Sequence, residues 1–248
     1  MKKHIKRPLL VLLFTLMLFK CSNDDDSAVQ SSEPETVTDA DGNVYNTIKM
    51  GNQIWMLENL KTTKYNDGSS IVQYNFDVNG INWGSINNQE AFYRWPDTND
   101  LNNVVDEELP FDYYGAMYNH WAIESGKLAP DGWRIPTEAD FVELVNFLAN
   151  EGHTGNEATV LKTETGWLPS SENGTNLYGF NTLPNGYVNA FGGPTLAEGT
   201  STWATSNVNG VNPGSQTRKL ITIFNNGPVN FDDSAIQIGA GIRCIKIQ

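Results

Sequence analysis

Apolar residues in the stretch 137–148 fall on one helical face: Phe141, Leu144, Val145 and Leu148 recur at steps of three and four. Thr137 precedes them as an N-cap, Asp140 completes a weak capping box, and Pro136 stops the extended run before it. Just upstream, Pro130-Asp131-Gly132 reads as a turn, and Trp133 and Ile135 as a short strand around Arg134. Elsewhere the pattern is that of short strands. Stretches 44–49 and 53–57 flank Met50-Gly51-Asn52 and predict a hairpin. Stretches 91–95, 180–183, 186–190, 201–206, 219–224 and 241–247 read as further strands, with Gly, Pro and Asn between them. A mixed pattern over 113–123 suggests one helical turn leading into a strand, and 158–162 reads as a short helix. The polar stretch 71–89 reads as irregular. No period repeats and no linker divides this run, so one α+β domain is expected over 39–248.

The N-terminus has a different pattern. Residues 1–7 are basic, 9–19 are apolar, and Cys21 follows Lys20. This is a secretory signal over 1–20 with a cysteine at the cleavage point. It resembles a bacterial lipoprotein signal, which implies a diacylglycerol on the Cys21 thiol and a third acyl chain on its freed amine. Phe19 and Lys20 depart from the usual box, and the looser boxes of Bacteroidetes lipoproteins accept such changes. Ser22-Asn23-Asp24-Asp25-Asp26 resembles the surface-export signal of that group. Residues 27–38 lack apolar anchors, so 21–38 reads as an acidic, flexible tether. The expected location is the outer membrane, lipid-anchored and facing outward. Each acyl methylene contributes about 0.8 kcal/mol to that anchoring. No apolar run reaches the ~20 residues of a spanning helix.

Composition narrows the partners. The chain has 248 residues, 39% of them hydrophobic, enough for one sizeable core. The formal charge is −13, and loss of 1–20 would make it about −18, because Lys2, Lys3, Lys6, Arg7 and Lys20 leave with no acid. Such a chain repels phosphate backbones, which argues against nucleic-acid binding.

Five separated motifs carry a family resemblance: Asp41-Gly-Asn-Val-Tyr, Gly51-Asn-Gln-Ile-Trp-Met-Leu-Glu-Asn-Leu-Lys, Tyr114-Gly-Ala-Met-Tyr-Asn, Pro130-Asp-Gly-Trp-Arg-Ile-Pro-Thr and Gly241-Ile-Arg-Cys. In this order and spacing they resemble the Fibrobacter succinogenes major paralogous domain, frequent among surface lipoproteins of Bacteroidetes and Fibrobacter. The resemblance implies a C-type-lectin-like fold related to that of formylglycine-generating enzymes. It brings no established activity. Relatives carry a cysteine at the position of Ala129, paired with the one matching Cys244. That bridge cannot form here, which makes Cys244 a small buried hydrophobe on the last strand. An Ala129→Cys change is expected to restore the bridge.

The chemistry that remains is sparse. After the signal, His120 and His153 are the only histidines, and no His-Glu-x-x-His or Gly-x-Ser-x-Gly occurs. A distant Ser-His-Asp triad stays open, with His120 more simply a packed residue. Formylglycine chemistry needs two cysteines in its site, and only one is available. Calcium takes six to eight oxygens. Asp97, Asn99, Asp100, Asn102, Asn103, Asp106 and Glu107 cluster in one loop, with Asp97, Asp100, Asp106 and Glu107 the weak calcium candidates. The loop lacks EF-hand order, and the chain lacks the Trp-Asn-Asp triplet of calcium-dependent lectins. Flat aromatic rings stack on pyranose C–H faces while amides and carboxylates take the hydroxyls. Trp83, Tyr93, Trp95, Tyr113, Trp121 and Trp203 are the candidate rings, beside Asn82, Asn87, Asp97, Asn119 and Asn207. The set expected to bind a ligand is Trp83, Tyr93, Trp95, Asp97, Asn99 and Asp100, with Trp83 and Trp95 as surface aromatics. Three functions stay open: a non-catalytic surface lipoprotein binding a glycan or a surface protein, a carbohydrate-active accessory hydrolase, and a structural envelope component. Apart from a possible calcium, no cofactor is expected. A Cys21→Ser chain is expected to lose its membrane-bound pool on cell fractionation, and an unchanged pool would refute lipidation.

Overall fold

The computed structural model describes residues 35–85, 89–96, 98 and 109–248. Residues 34–248 form one compact unit. In chain order its elements are β1 (Thr36–Thr38), β2 (Val44–Met50), β3 (Gln53–Met56), β4 (Val72–Gln73), α1 (Phe76–Asn79), β5 (Phe92–Arg94), β6 (Met117–Tyr118), α2 (His120–Glu124), β7 (Trp133–Arg134), α3 (Glu138–Leu148) and α4 (Glu157–Leu161). Then follow β8 (Tyr187–Val188), β9 (Pro194–Thr195), β10 (Ser201–Asn209), β11 (Thr217–Ile223), β12 (Asn230–Ala235) and β13 (Ile245–Lys246). This is an α+β fold in which short strands dominate.

The main sheet runs β1-β2-β3-β13-β7. Its hairpin pairs Thr47 with Met56 and Met50 with Gln53. Gly51 turns it with φ 59°, and a Cβ there would meet the Phe147 ring at 3.1 Å. The late strand β13 lies between β3 and β7, pairing Ile245 with both Trp55 and Arg134. Alternation along these strands separates two apolar clusters. Tyr45, Met56, Trp133 and Cys244 enter one, with Tyr118 and Ile242. Trp55 and Ile245 enter the other, with Phe141, Leu148, Phe180, Trp203 and Ile221. Ala129 and Cys244 are both buried in the first cluster. A second sheet, β10-β11-β12, is antiparallel throughout.

Helix α3 forms as its sequence predicts. Thr137 and Asp140 cap it reciprocally, and Arg134 binds the same carboxylate at 2.6 and 2.8 Å. These donors hold the Asp140 carboxyl below its ordinary range, against the opposing effect of burial. The buried face carries Phe141, Leu144 and Leu148. The Phe141 ring sits 4.9 Å from that of Trp55 and stacks on Trp203 at 5.9 Å.

Several expectations need correction. Residues Thr36–Thr38, expected in the tether, form β1 and pair with β2, so the folded unit begins earlier than 39. The stretch 180–183 is no strand, because the carbonyls of Phe180 and Asn181 turn onto Arg243 instead of a ladder. Only Ile245–Lys246 of the expected 241–247 strand is laddered. The stretch 71–89, expected to be irregular, holds β4 and α1. Phe141→Ala is expected to cost about 3–5 kcal/mol by urea unfolding. Val142→Ala, on the exposed face of the same helix, is expected to stay within about 0.5 kcal/mol.

Candidate functional site

Arg243 is 1% exposed, yet among the described residues no carboxylate bonds to it. Its Nε and Nη2 donate to Asn59 Oδ1 at 3.1 and 3.0 Å. Nη1 donates to the Phe180 carbonyl and Nη2 also to the Asn181 carbonyl. The guanidinium lies 4.8 Å from the Phe180 ring centre and 5.1 Å from that of Trp203. Burial pushes it down to about 9, so it stays charged at neutral pH. Asn59 Oδ1 takes a third donor, Trp203 Nε1, at 2.8 Å, and its Nδ2 donates to the Tyr114 carbonyl. Asn59, Tyr114 and Arg243 come from three of the five sequence motifs.

Above this centre lies an open cleft of about 520 Å³, lined among others by Glu58, Asn59, Lys61, Asp112, Tyr113 and Asn181. Its polar side chains serve the frame. Glu58 accepts from the Asn46 backbone and side-chain nitrogens at 2.9 and 2.8 Å. Lys61 pairs with Asp112 at 2.6 Å. Beneath, the buried Tyr45 hydroxyl donates to Asp39 and accepts from Lys61 N. Burial, then the Asp39 carboxylate, raise the Tyr45 hydroxyl far above its ordinary range. Gly115 lines the cleft with φ 80°, and a Cβ there would strike Asn59 at 2.6 Å. Tyr45, Glu58, Asn59, Lys61 and Gly115, from three of the motifs, thus line one part of the cleft.

A family model, the Fibrobacter succinogenes major domain, matches residues 48–246. The chain belongs to this family. No curated protein and no solved structure matches it. In this Fibrobacter succinogenes major domain, Asn59, Tyr114 and Arg243 bring three of the motifs together at one buried cation.

The aromatic residues expected to bind a ligand are distributed otherwise. Trp83 is 2% exposed, stacked edge-on against Tyr74 at 5.3 Å, and Gly239 lies flush on its ring. Tyr93 is also buried, its hydroxyl reaching Gln73. Both were expected to offer faces to a ligand; at both, packing takes the face. Trp95 is half-buried between Tyr93 at 5.5 Å and the exposed Phe111 at 5.1 Å. Trp203 is core, and Trp121 is half-buried. Asn119 caps α2 and Asn207 accepts from Glu138 N, so both serve structure. Cys21, Asn87, Asp97, Asn99, Asp100, Asn102, Asn103, Asp106 and Glu107 lie outside the described residues. Among the described residues no group of three His, Cys, Asp or Glu side chains gathers to hold a metal. Phe76 and Phe191 are exposed rings that the sequence reading did not single out. Their neighbours, Asn75 before a helical turn and Gly192-Gly193 in a tight one, were the available signal.

His120 is fixed by a second buried cation. Arg218 Nη2 donates to His120 Nδ1 at 2.9 Å and to Glu124 at 2.6 Å, and Nη1 donates to the Thr205 carbonyl at 2.6 Å. A guanidinium only donates, so Nδ1 accepts and the imidazole proton is on Nε2. Burial, then Arg218, push His120 down to about 4. Between pH 4 and 6.5 the unfolded chain binds a proton that the folded chain refuses, so stability falls as pH falls through that window. The loss approaches roughly 3 kcal/mol at the acid end. Urea midpoints at pH 7 and 4.5 check this, with His120→Asn expected to show the smaller acid loss and equal losses refuting a neutral imidazole.

Proposed function

We propose that this chain is a lipid-anchored protein of the outer membrane, acylated at Cys21 and facing outward, whose domain binds a glycan or a surface protein without catalysis. In this reading the fold is C-type-lectin-like in the functional sense: a fixed frame carrying changeable binding turns. One contrast supports it. The polar side chains Glu58, Lys61 and Asp112 of the cleft are tied to partners within the protein, while large apolar side chains stand exposed on connections outside the motifs. Phe191 is 83%, Val211 90% and Phe111 64% exposed. Exposed apolar groups on turns held by a rigid scaffold are typical of recognition surfaces. The hydrolase reading is weaker on the same ground, because Glu58 and Asp112 are each held by partners within the protein.

The full chain, extracted in detergent, is expected to be retained by a panel of immobilised glycans or by an outer-membrane protein without releasing reducing sugar. Sugar release would favour the hydrolase. Copurification with an envelope complex, with neither of the other results, would favour the structural role.

A further inference from the structure

A second groove, of about 590 Å³, lies away from the motif cleft, lined among others by Gln73, Asn75, Phe76, Asp77, Arg94 and Phe191. Its volume falls within the roughly 300–1,000 Å³ of small-molecule sites. Phe191 and Phe76, 83% and 53% exposed, are presented by turns that the structure holds firmly.

The Phe191 turn joins β8 to β9. Asn189 Oδ1 accepts from Phe191 N at 2.9 Å and Gly193 N at 3.2 Å, and Gly192 N donates to Asn189 O at 2.8 Å. Gly192 has φ 87°, and a Cβ there would lie 2.4 Å from the Tyr74 ring, so the turn is seated on that ring. Arg94 Nη1 binds the Gly192 carbonyl from β5. On the other side, Asn75 caps the single turn α1 through Asp77 N, and Gly80 closes it in the left-handed conformation. The floor is Tyr74, backed edge-on by the buried Trp83 and Phe92. A ring carried on a backbone already held in its turn leaves less chain freedom to be lost on binding.

The polar lining differs from that of the motif cleft. Gln73 Nε2, Asn75 Nδ2 and the Asp77 carboxylate are exposed and make no hydrogen bond among the described residues. We propose that this groove binds a short stretch of a neutral saccharide chain, with Phe76 and Phe191 stacked on pyranose C–H faces and Gln73, Asn75 and Asp77 bonding its hydroxyls. The proposal rests on the glycan arm of the binding function above. One carboxylate and one guanidinium line the groove, a balance that suits an uncharged ligand. Hydroxyls need the mixed donors and acceptors found here, whereas the centre of a protein interface is depleted of charge.

Native affinity electrophoresis of the detergent-extracted full chain tests this, with xylan, glucomannan, mixed-linkage β-glucan or polygalacturonate cast in the gel. Retardation by at least one of the three neutral polymers is expected. Phe191→Ala or Phe76→Ala should weaken it about tenfold, the size of a single aromatic anchor. Val142→Ala, on the exposed face of α3, should leave it unchanged. Both phenyl rings are exposed, so thermal melts of these variants should match the parent. Retardation by a neutral polymer that neither phenylalanine variant changes overturns the groove and leaves glycan binding standing. Retardation by polygalacturonate alone overturns the neutral-ligand assignment. No retardation in any gel overturns the saccharide assignment. Loss of a copurifying surface protein on Phe191→Ala, again without retardation, assigns the groove to that protein instead.

Discussion

A full positive charge sits buried in this protein, and among the described residues no carboxylate is bonded to it. The Arg243 guanidinium has lost its water, and an isolated ion in that position would be severely unfavourable. What offsets the loss is a set of oxygens and ring faces brought from distant parts of the chain: Asn59, the carbonyls of Phe180 and Asn181, and the rings of Phe180 and Trp203. None of these groups is positioned by its own sequence neighbours alone. The cation therefore constrains the segment after β3, the 180–181 bend and strand β10 at once, and it draws Asn59, Tyr114 and Arg243, from three of the motifs, together.

The same device recurs in the chain. Lys162 is fully buried, its ammonium bound to the carbonyls of Ser171 and Glu172 at 2.5 and 2.6 Å and set 4.0 Å from the Trp167 ring centre. Burial pushes it down to about 8. Arg218 is buried too, though it reaches the carboxylate of Glu124. An acidic chain thus places cations inside, where backbone carbonyls of irregular segments need donors. In a fold with so few long strands and helices, these side chains satisfy carbonyls that no ladder reaches. Long loops thereby become part of the fixed frame.

Local signals were legible in the sequence and distant ones were not. Helix α3 was readable because its cap, its apolar period and the preceding proline all lie within a dozen residues. The β2–β3 hairpin was readable for the same reason. Strand β12, Asn-Phe-Asp-Asp-Ser-Ala, was missed because it is a largely exposed edge with no apolar alternation, and only its pairing with β11 makes it a strand. Trp83 looked like a surface ring because its neighbours are polar, yet Tyr74 and Gly239 bury it. The stretch 180–183 looked like a strand because Phe180 and Leu183 are apolar and Gly, Pro and Asn flank the run, and the demand of Arg243 for carbonyls overrode that pattern. Of the candidate site, the motif positions were visible in sequence, but their inward orientation was not. Phe76 and Phe191 stood in turns whose rigidity depends on contacts made across the fold.

The bond between Asn59 and Arg243 spans 184 residues of sequence. During synthesis the first half of the main sheet emerges long before the strand that completes it, and Trp55 waits for Ile245 over a similar interval. The nascent chain therefore cannot lock early. It stays open while the later residues are still to come, and the frame closes only once the whole domain has emerged.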